Sequence, residues 1–511
     1  MKEQSVAKGF AVLSAAGLLV KVLSLLYIPF LLAIIGEDGN GIYQGAYEVF
    51  AFVFVLTNSG MLTAISKQVS ELAAVKNHKD AVRSFKIARF ILIVIGLVLS
   101  LAVFLLAWPI ADGTNFEKSY LAIRALAPAI LITAVASAYR GYFQGRGNMT
   151  PTAVSQVIEQ VINTVSTLVL AFLLIKFGKE VACAGGAFGT TIASFFSAAF
   201  LIVYYNRYGR INGENGSVAP DMKRYSYNEL VKKLIGYSIP ITICIGLQYA
   251  GALIDVWNVK SRLLAAGFPD KTTYELFNYV SKYQKLIYAP ITVIVALAST
   301  ILPSISGSMA LNDRGQVLHK INYAFRLCFL IAIPAAVGLA VLHNPIYAVI
   351  KFGKGSDLLL FGAIVIVLMA VVQIQTAILQ GTGRLYMVTL FLLIGIVGKI
   401  TVNFILIAIP DINIYGAIAG SITSYIIPLG LNWVYINKSL KLDFNLLKHA
   451  VKPGLASVLM GVVVYAVYRY LYEALEVYLI GYMSNAISVL AAVIAGGAVY
   501  FAGLVLVRGI T

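Results

Sequence analysis

The chain has 511 residues, of which 60% are hydrophobic and only 12% charged. A soluble domain carries roughly 25% charged residues, and the deficit here runs the whole length, which excludes a separate soluble domain and leaves an integral membrane protein. The net charge of +17 falls in short connections between apolar stretches, where lysine and arginine set topology and meet anionic lipid head groups, so nucleic acid is not an expected partner.

A helix needs about twenty apolar residues to cross a bilayer. By that measure the chain is expected to be an all-α polytopic protein of fourteen spans, at 9–35, 42–66, 86–111, 120–143, 151–176, 185–206, 234–254, 275–302, 321–343, 357–380, 385–409, 414–436, 450–472 and 483–507. The first stretch opens with lysine as a signal peptide does. It is too long for a signal core, lacks a small-residue cleavage site and contains Lys21 and Pro29, so it reads as a retained span. Prolines 29, 128, 240, 290, 303, 334 and 428 interrupt spans; each frees a backbone carbonyl and permits bending.

Most lysines and arginines fall in alternate loops. The others hold Lys118, Lys176, Lys179, Lys260, Arg262, Lys271, Lys351 and Lys354. This asymmetry predicts a membrane protein with an even number of spans and both termini cytoplasmic. The longest inner connection, 207–233, follows span six.

The chain repeats across that connection. Phe143-Gln144-Gly145-Arg146-Gly147 closes span four as Leu379-Gln380-Gly381-Thr382-Gly383 closes span ten. Gly185-Gly186-Ala187-Phe188-Gly189-Thr190 opens span six as Tyr415-Gly416-Ala417-Ile418-Ala419-Gly420 opens span twelve. The expected domains are therefore a six-helix lobe at 1–206, an inter-lobe loop at 207–233, a second six-helix lobe at 234–437, and two additional C-terminal helices at 450–507. A tandem repeat of an even number of spans relates the lobes by a pseudo-twofold along the membrane normal.

No phosphate-binding loop, zinc-protease motif or nucleophile elbow is present, and the chain is not expected to be an enzyme. Cys183, Cys244 and Cys328 lie far apart in apolar sequence and read as small buried hydrophobes. His78, His319, His343 and His449 sit in loops or at span ends. Neither a metal nor a cofactor is expected.

Ionisable groups inside spans are expensive in hydrocarbon, about 2.5–3.5 kcal/mol each on insertion scales, and are functional candidates by default. The cations are Lys21, Lys282, Lys285 and Lys399, and the acids Glu48, Glu159 and Asp255. Lys282 and Lys285 share a helix face. Lys21, Lys282, Lys285 and Glu48 are the expected substrate contacts, in a centre whose balance favours an anion. Asp255, Glu159, Lys399 and Asn403 are coupling or structural candidates.

Gly36-Glu37-Asp38-Gly39-Asn40-Gly41-Ile42-Tyr43, Ala64-Ile65-Ser66-Lys67, and above all Arg140-Gly-Tyr-Phe-Gln-Gly145 followed by Pro151-Thr-Ala-Val-Ser-Gln-Val-Ile-Glu-Gln160 carry a resemblance. The chain resembles polysaccharide-biosynthesis membrane proteins of the SpoVB and YtgP type, relatives of the lipid II flippase MurJ in the MOP exporter superfamily. The resemblance implies two lobes around a central cavity, a lipid-tail groove formed by spans thirteen and fourteen, and basic residues on spans one and eight that bind pyrophosphate. Lys21 and Lys285 occupy those positions. Tyr27 replaces a second basic residue of span one, and one in span two has no counterpart near Phe54. Some relatives hold sodium between spans seven and eleven; Asp255 and Asn403 fall there, but Lys399 close by opposes a cation.

The expected function is translocation of an undecaprenyl-diphosphate-linked cell-wall precursor, lipid II foremost, from inner to outer leaflet by alternating access. The alternatives are an oligosaccharide flippase for another surface polymer, a multidrug exporter, and a non-transport sporulation protein. The expected partners are an anionic lipid-linked sugar and membrane phospholipids, with the protein a monomer.

Overall fold

The computed structural model describes residues 6–74, 77–209, 224–310, 314–440 and 446–506. Every regular element among the described residues is helical. Part of the expected inter-lobe loop, 210–223, lies outside the described residues, as does residue 507, the last of the final span.

Fourteen long helices follow in order: α1 Val6–Leu26, α2 Ile28–Ala74, α3 His78–Leu105, α4 Tyr120–Gly145, α5 Thr150–Leu174, α6 Lys179–Tyr204, α7 Tyr227–Ala265, α8 Asp270–Ala310, α9 Arg314–Val341, α10 Ile364–Gly381, α11 Leu385–Leu406, α12 Tyr415–Leu440, α13 Leu446–Glu476 and α14 Gly481–Leu506. Twelve of them are long and apolar enough to cross a membrane. The other two are α1, whose described apolar part is the short Ala15–Leu26, and α8, which Lys282 and Lys285 interrupt. Helices dominate because a segment in hydrocarbon must satisfy its own backbone polar groups.

The first expected span is divided. Pro29 has no N–H to continue the helical ladder, and the chain turns at Tyr27 between α1 and α2. A second break follows at Gly36, whose φ of 76° is open to glycine and strained for other residues.

α3 shows how these helices divide their surfaces. Phe90, Leu97, Val98, Leu101 and Leu105 are exposed on one side. Phe85, Ala88, Leu92, Gly96 and Ser100 are buried on the other. Both faces are apolar, and the buried one admits small residues such as Ala88, Gly96 and Ser100 that let neighbouring helices approach. Gly96 lies against Ala134 and Leu131 of α4.

The chain forms two compact units, Met1–Ser261 and Arg262–Thr511. In the first, α4 meets α2 through Gly141 and Gly145, where an added Cβ would come within 2.9 Å of the Leu62 carbonyl and 2.6 Å of the Ser66 carbonyl. α5 and α6 pack through Gly185 and Gly189, against Leu170 and Thr167. α7 belongs to this unit by packing: Gly60 sits on Ser238 and Thr242, and Gln68 donates to the Leu230 carbonyl at 3.3 Å. The repeat read in the sequence instead makes this helix the opening span of the second copy; the two divisions answer different questions.

In the second unit, α8 packs with α9 and α10, α11 with α12, and α13 with α14. α13 is also held against α9, and Tyr500 of α14 donates to the Leu330 carbonyl at 2.9 Å. The three cysteines are buried and form no disulfide.

Candidate functional site

Within the first unit, Ser155, Glu159, Asn163 and Thr167 recur every four residues along α5 and therefore share one face. Arg140 of α4 meets that face. Its guanidinium donates to Glu159 Oε2 at 2.6 Å, Ser197 Oγ at 2.9 Å and Ser155 Oγ at 3.0 Å. The Arg140 side chain is 7% exposed and that of Glu159 25%. Further along, Thr190 donates to Asn163 Oδ1 at 3.0 Å, and Thr167 to the Gly186 carbonyl at 3.0 Å. The result is a polar seam through α4, α5 and α6, in which the charge of Glu159 is met inside its own unit. The sequence reading picked out Glu159 and passed over Arg140, although Arg140 opens the most specific stretch of the resemblance.

The Gly36–Tyr43 stretch is pinned by a second set of contacts. Lys179 Nζ reaches Asp38 at 2.7 and 2.8 Å, Cys183 Sγ donates to the Gly39 carbonyl at 3.1 Å, and Ser119 Oγ to the Ile42 carbonyl at 2.8 Å. Fully buried Lys260 pairs with Glu117, two residues before Ser119, at 3.2 Å and lies 5.4 Å from the Phe116 ring centre. Lys179 and Lys260 read in sequence as loop charges; both are ion-paired.

The two first-unit substrate candidates differ in setting. Lys21 is exposed on α1. Glu48 is half-buried on α2, beside a ladder of rings in which Tyr43 and Tyr47 are 6.2 Å apart, Tyr47 and Phe50 5.9 Å, and Phe50 and Phe54 6.0 Å. Asp255, on α7, is buried.

The second unit separates the two lysines that share a face of α8. Lys282 is 1% exposed, donates its ammonium to the Phe352 carbonyl, and lies 4.6 Å from the Tyr279 ring centre. Lys285, one turn on, is half-buried. Lys282 is thus held by its own unit's backbone, and Lys285 is the more accessible ammonium of the pair.

Lys399 and Asn403 are buried on α11, one turn apart. Gly420 of α12 faces Asn403, and a Cβ there would collide with the amide. The first unit has the same local design, with Gly189 of α6 facing Thr167 of α5, where a Cβ would approach the Thr167 nitrogen to 2.6 Å. At the sequence offset of 236 that joins Gln144 to Gln380, Asn163 and Thr167 correspond to Lys399 and Asn403. A glycine of one helix thereby faces a polar residue of its neighbour in both helix pairs.

The chain is 26% identical to the "Lipid II flippase MurJ" of Bacillus subtilis (strain 168), over 96% of this chain and 94% of that protein. It is 25% identical to that organism's "Stage V sporulation protein B", over 92% of this chain and 91% of that one. Among solved structures, a lipid II flippase MurJ in an inward closed conformation superposes with a TM-score of 0.69 at 16% identity, covering 98% of this chain and 99% of that chain. An inward-facing MATE-family multidrug transporter of the MOP superfamily superposes with a TM-score of 0.66 at 14% identity, covering 82% of this chain and 94% of that one. The fold is that of these transporters, and the chain is a multi-pass membrane protein. Residues 6–309, more than half of its length, match the family described as polysaccharide biosynthesis protein, and to that family the chain belongs.

Proposed function

We propose that this protein is a flippase for an undecaprenyl-diphosphate-linked cell-wall precursor, lipid II foremost, and that it carries its cargo from inner to outer leaflet by alternating access. The observation that carries the reading is the end-to-end likeness to a lipid II flippase, which spans 96% of this chain at 26% identity. Lobes at 1–206 and 234–437, with two further helices at 450–507 and both termini cytoplasmic, complete the proposal.

Lys21 and Lys285 are the proposed diphosphate contacts, with Lys282 and Glu48 shaping their surroundings. A diphosphate left unpaired in hydrocarbon would be prohibitive, so its water must be replaced by charge-assisted contacts. A compact ammonium does this while permitting release. An inside-negative potential assists export of an anion by about 2.3 kcal/mol per charge per 100 mV. A multidrug exporter is the second reading on fold grounds, but a site for cationic drugs calls for acids where this chain offers Lys21 and Lys285. Complementation of a strain depleted of its lipid II flippase tests the proposal. Growth without lysis supports it, and lysis despite normal membrane levels of the protein refutes it.

A further inference from the structure

A cavity of about 500 Å³ lies within the second unit, where α13, α14 and the short helix His343–Val349 meet. This is well inside the range of small-ligand pockets. Tyr465, Tyr468 and Tyr472 line it from one face of α13, Tyr482 and Asn485 from the first turns of α14, and Asn344 from the short helix. None of the lining residues is an acid, a lysine or an arginine.

Tyrosines near the ends of membrane helices commonly form an interfacial belt with their hydroxyls toward water. Three of these bond to the protein instead, Tyr472 to Glu476 Oε1 at 3.3 Å. Tyr468 donates to Asn485 Oδ1 at 2.9 Å, Asn485 donates on to the Pro345 carbonyl at 3.1 Å, and Tyr482 donates to the Val349 carbonyl at 3.0 Å. These bonds tie the three helical segments together. The Tyr468 and Tyr472 rings stack at 5.8 Å and 23°.

Other polar atoms remain for a ligand. Asn344, among the lining residues, accepts from Ser356 through its amide oxygen and has amide N–H groups to donate. His343, also in the lining, directs Nδ1 at the Ala340 carbonyl at 2.8 Å. A carbonyl only accepts, so Nδ1 carries the proton and Nε2 of the neutral ring is an acceptor. Flat aromatic faces with separate amide donors and an imidazole acceptor match a ring that is apolar on its faces and hydroxylated at its edge. No lysine or arginine is among the lining residues, although the Lys351 ammonium stands 4.9 Å from the Tyr482 ring centre, and an acyl chain would leave the amide and imidazole groups without partners.

We propose that this cavity binds a neutral pyranose, its face on the tyrosines and its hydroxyls on Asn344 and His343. The sugar is either the head group of a glycolipid or a free saccharide. This site does not rest on the flippase reading.

The test uses the full chain in phosphatidylglycerol nanodiscs prepared without glycoside detergents. Methyl β-glucopyranoside is followed by saturation-transfer NMR, and glucosyl-diacylglycerol is compared with diacylglycerol by native mass spectrometry. Saturation of the sugar ring protons, with affinity about tenfold weaker in both Asn344→Ala and Tyr465→Ala, supports the site, tenfold being of the order of one lost hydrogen bond. Retention of both the glycoside and the glycolipid identifies a head group, and retention of the glycoside alone a free saccharide. Equal binding of diacylglycerol and glucosyl-diacylglycerol with no glycoside signal would overturn the proposal in favour of a lipid tail. Unaltered glycoside binding in both folded variants would overturn it as well. Tyr465 is 54% exposed, so its variant should elute and melt like the parent.

Discussion

Arg140 and Glu159 stand 2.6 Å apart on neighbouring helices, and two serines complete the shell around the guanidinium. An ion pair so placed stabilises little over an apolar pair of the same shape, yet breaking it strands a charge. Arg140→Met alone should therefore destabilise the protein by about 3 kcal/mol, the lower end of the range for a buried pair since Glu159 keeps some solvent contact. The double variant with Glu159→Met should recover much of the loss. Thermal unfolding in one detergent provides the comparison. A double variant as unstable as the sum of the singles would show that the two residues act independently.

Close helix packing predicts an asymmetry among glycines. Gly420→Ala should destabilise by about 1–3 kcal/mol, the usual range for overpacking, because its Cβ would collide with Asn403. Gly497→Ala, where nothing lies within 4 Å, should be neutral or slightly stabilising. Melting curves of the two purified variants decide the matter, and equal shifts would show that α11 and α12 relax apart.

The lysines of α8 should separate by phenotype. Lys285→Ala and Lys21→Ala are expected to abolish complementation at normal membrane levels, with the arginine variants milder. Lys282→Ala removes the donor to the Phe352 carbonyl and should lower thermal stability as well as function. Growth supported by both Lys21→Ala and Lys285→Ala would remove the diphosphate role.

Orientation can be read by labelling. Cysteines introduced at Asn115 and Ser356 should react with an impermeant thiol reagent outside intact cells, while one at Asn215 should react only after lysis. The native cysteines are buried and give a low background. Labelling of Asn215→Cys in intact cells would invert the topology.

The long helices were legible from sequence because a run of about twenty apolar residues has few other uses, and α4, α5 and α14 follow such runs closely. Glycine clusters at 185–190 and 415–420 also marked real packing surfaces. What stayed hidden were partnerships. Arg140 lies near the end of its span, and its serine and glutamate partners come from α5 and α6, which local sequence does not bring to it. Lys260 resembled a loop charge because its counter-ion, Glu117, is 143 residues away in the chain. Lys282 and Lys285 share a face by spacing, but only the approach of Phe352 distinguishes them.

The two breaks that bracket residues 28–35 bear on how a charge moves. Lys21 lies six residues before the turn at Tyr27, about 9 Å along a helix that rises about 1.5 Å per residue. A swing of about 20° about that turn would displace the ammonium by about 3 Å, the length of a salt bridge. Gly36, with its φ of 76°, marks the second break, so residues 28–35 form a short rod between α1 and the rest of α2. A lever of this kind would let Lys21 take hold of an anion and let it go while the Asp38–Lys179 anchor stays in place.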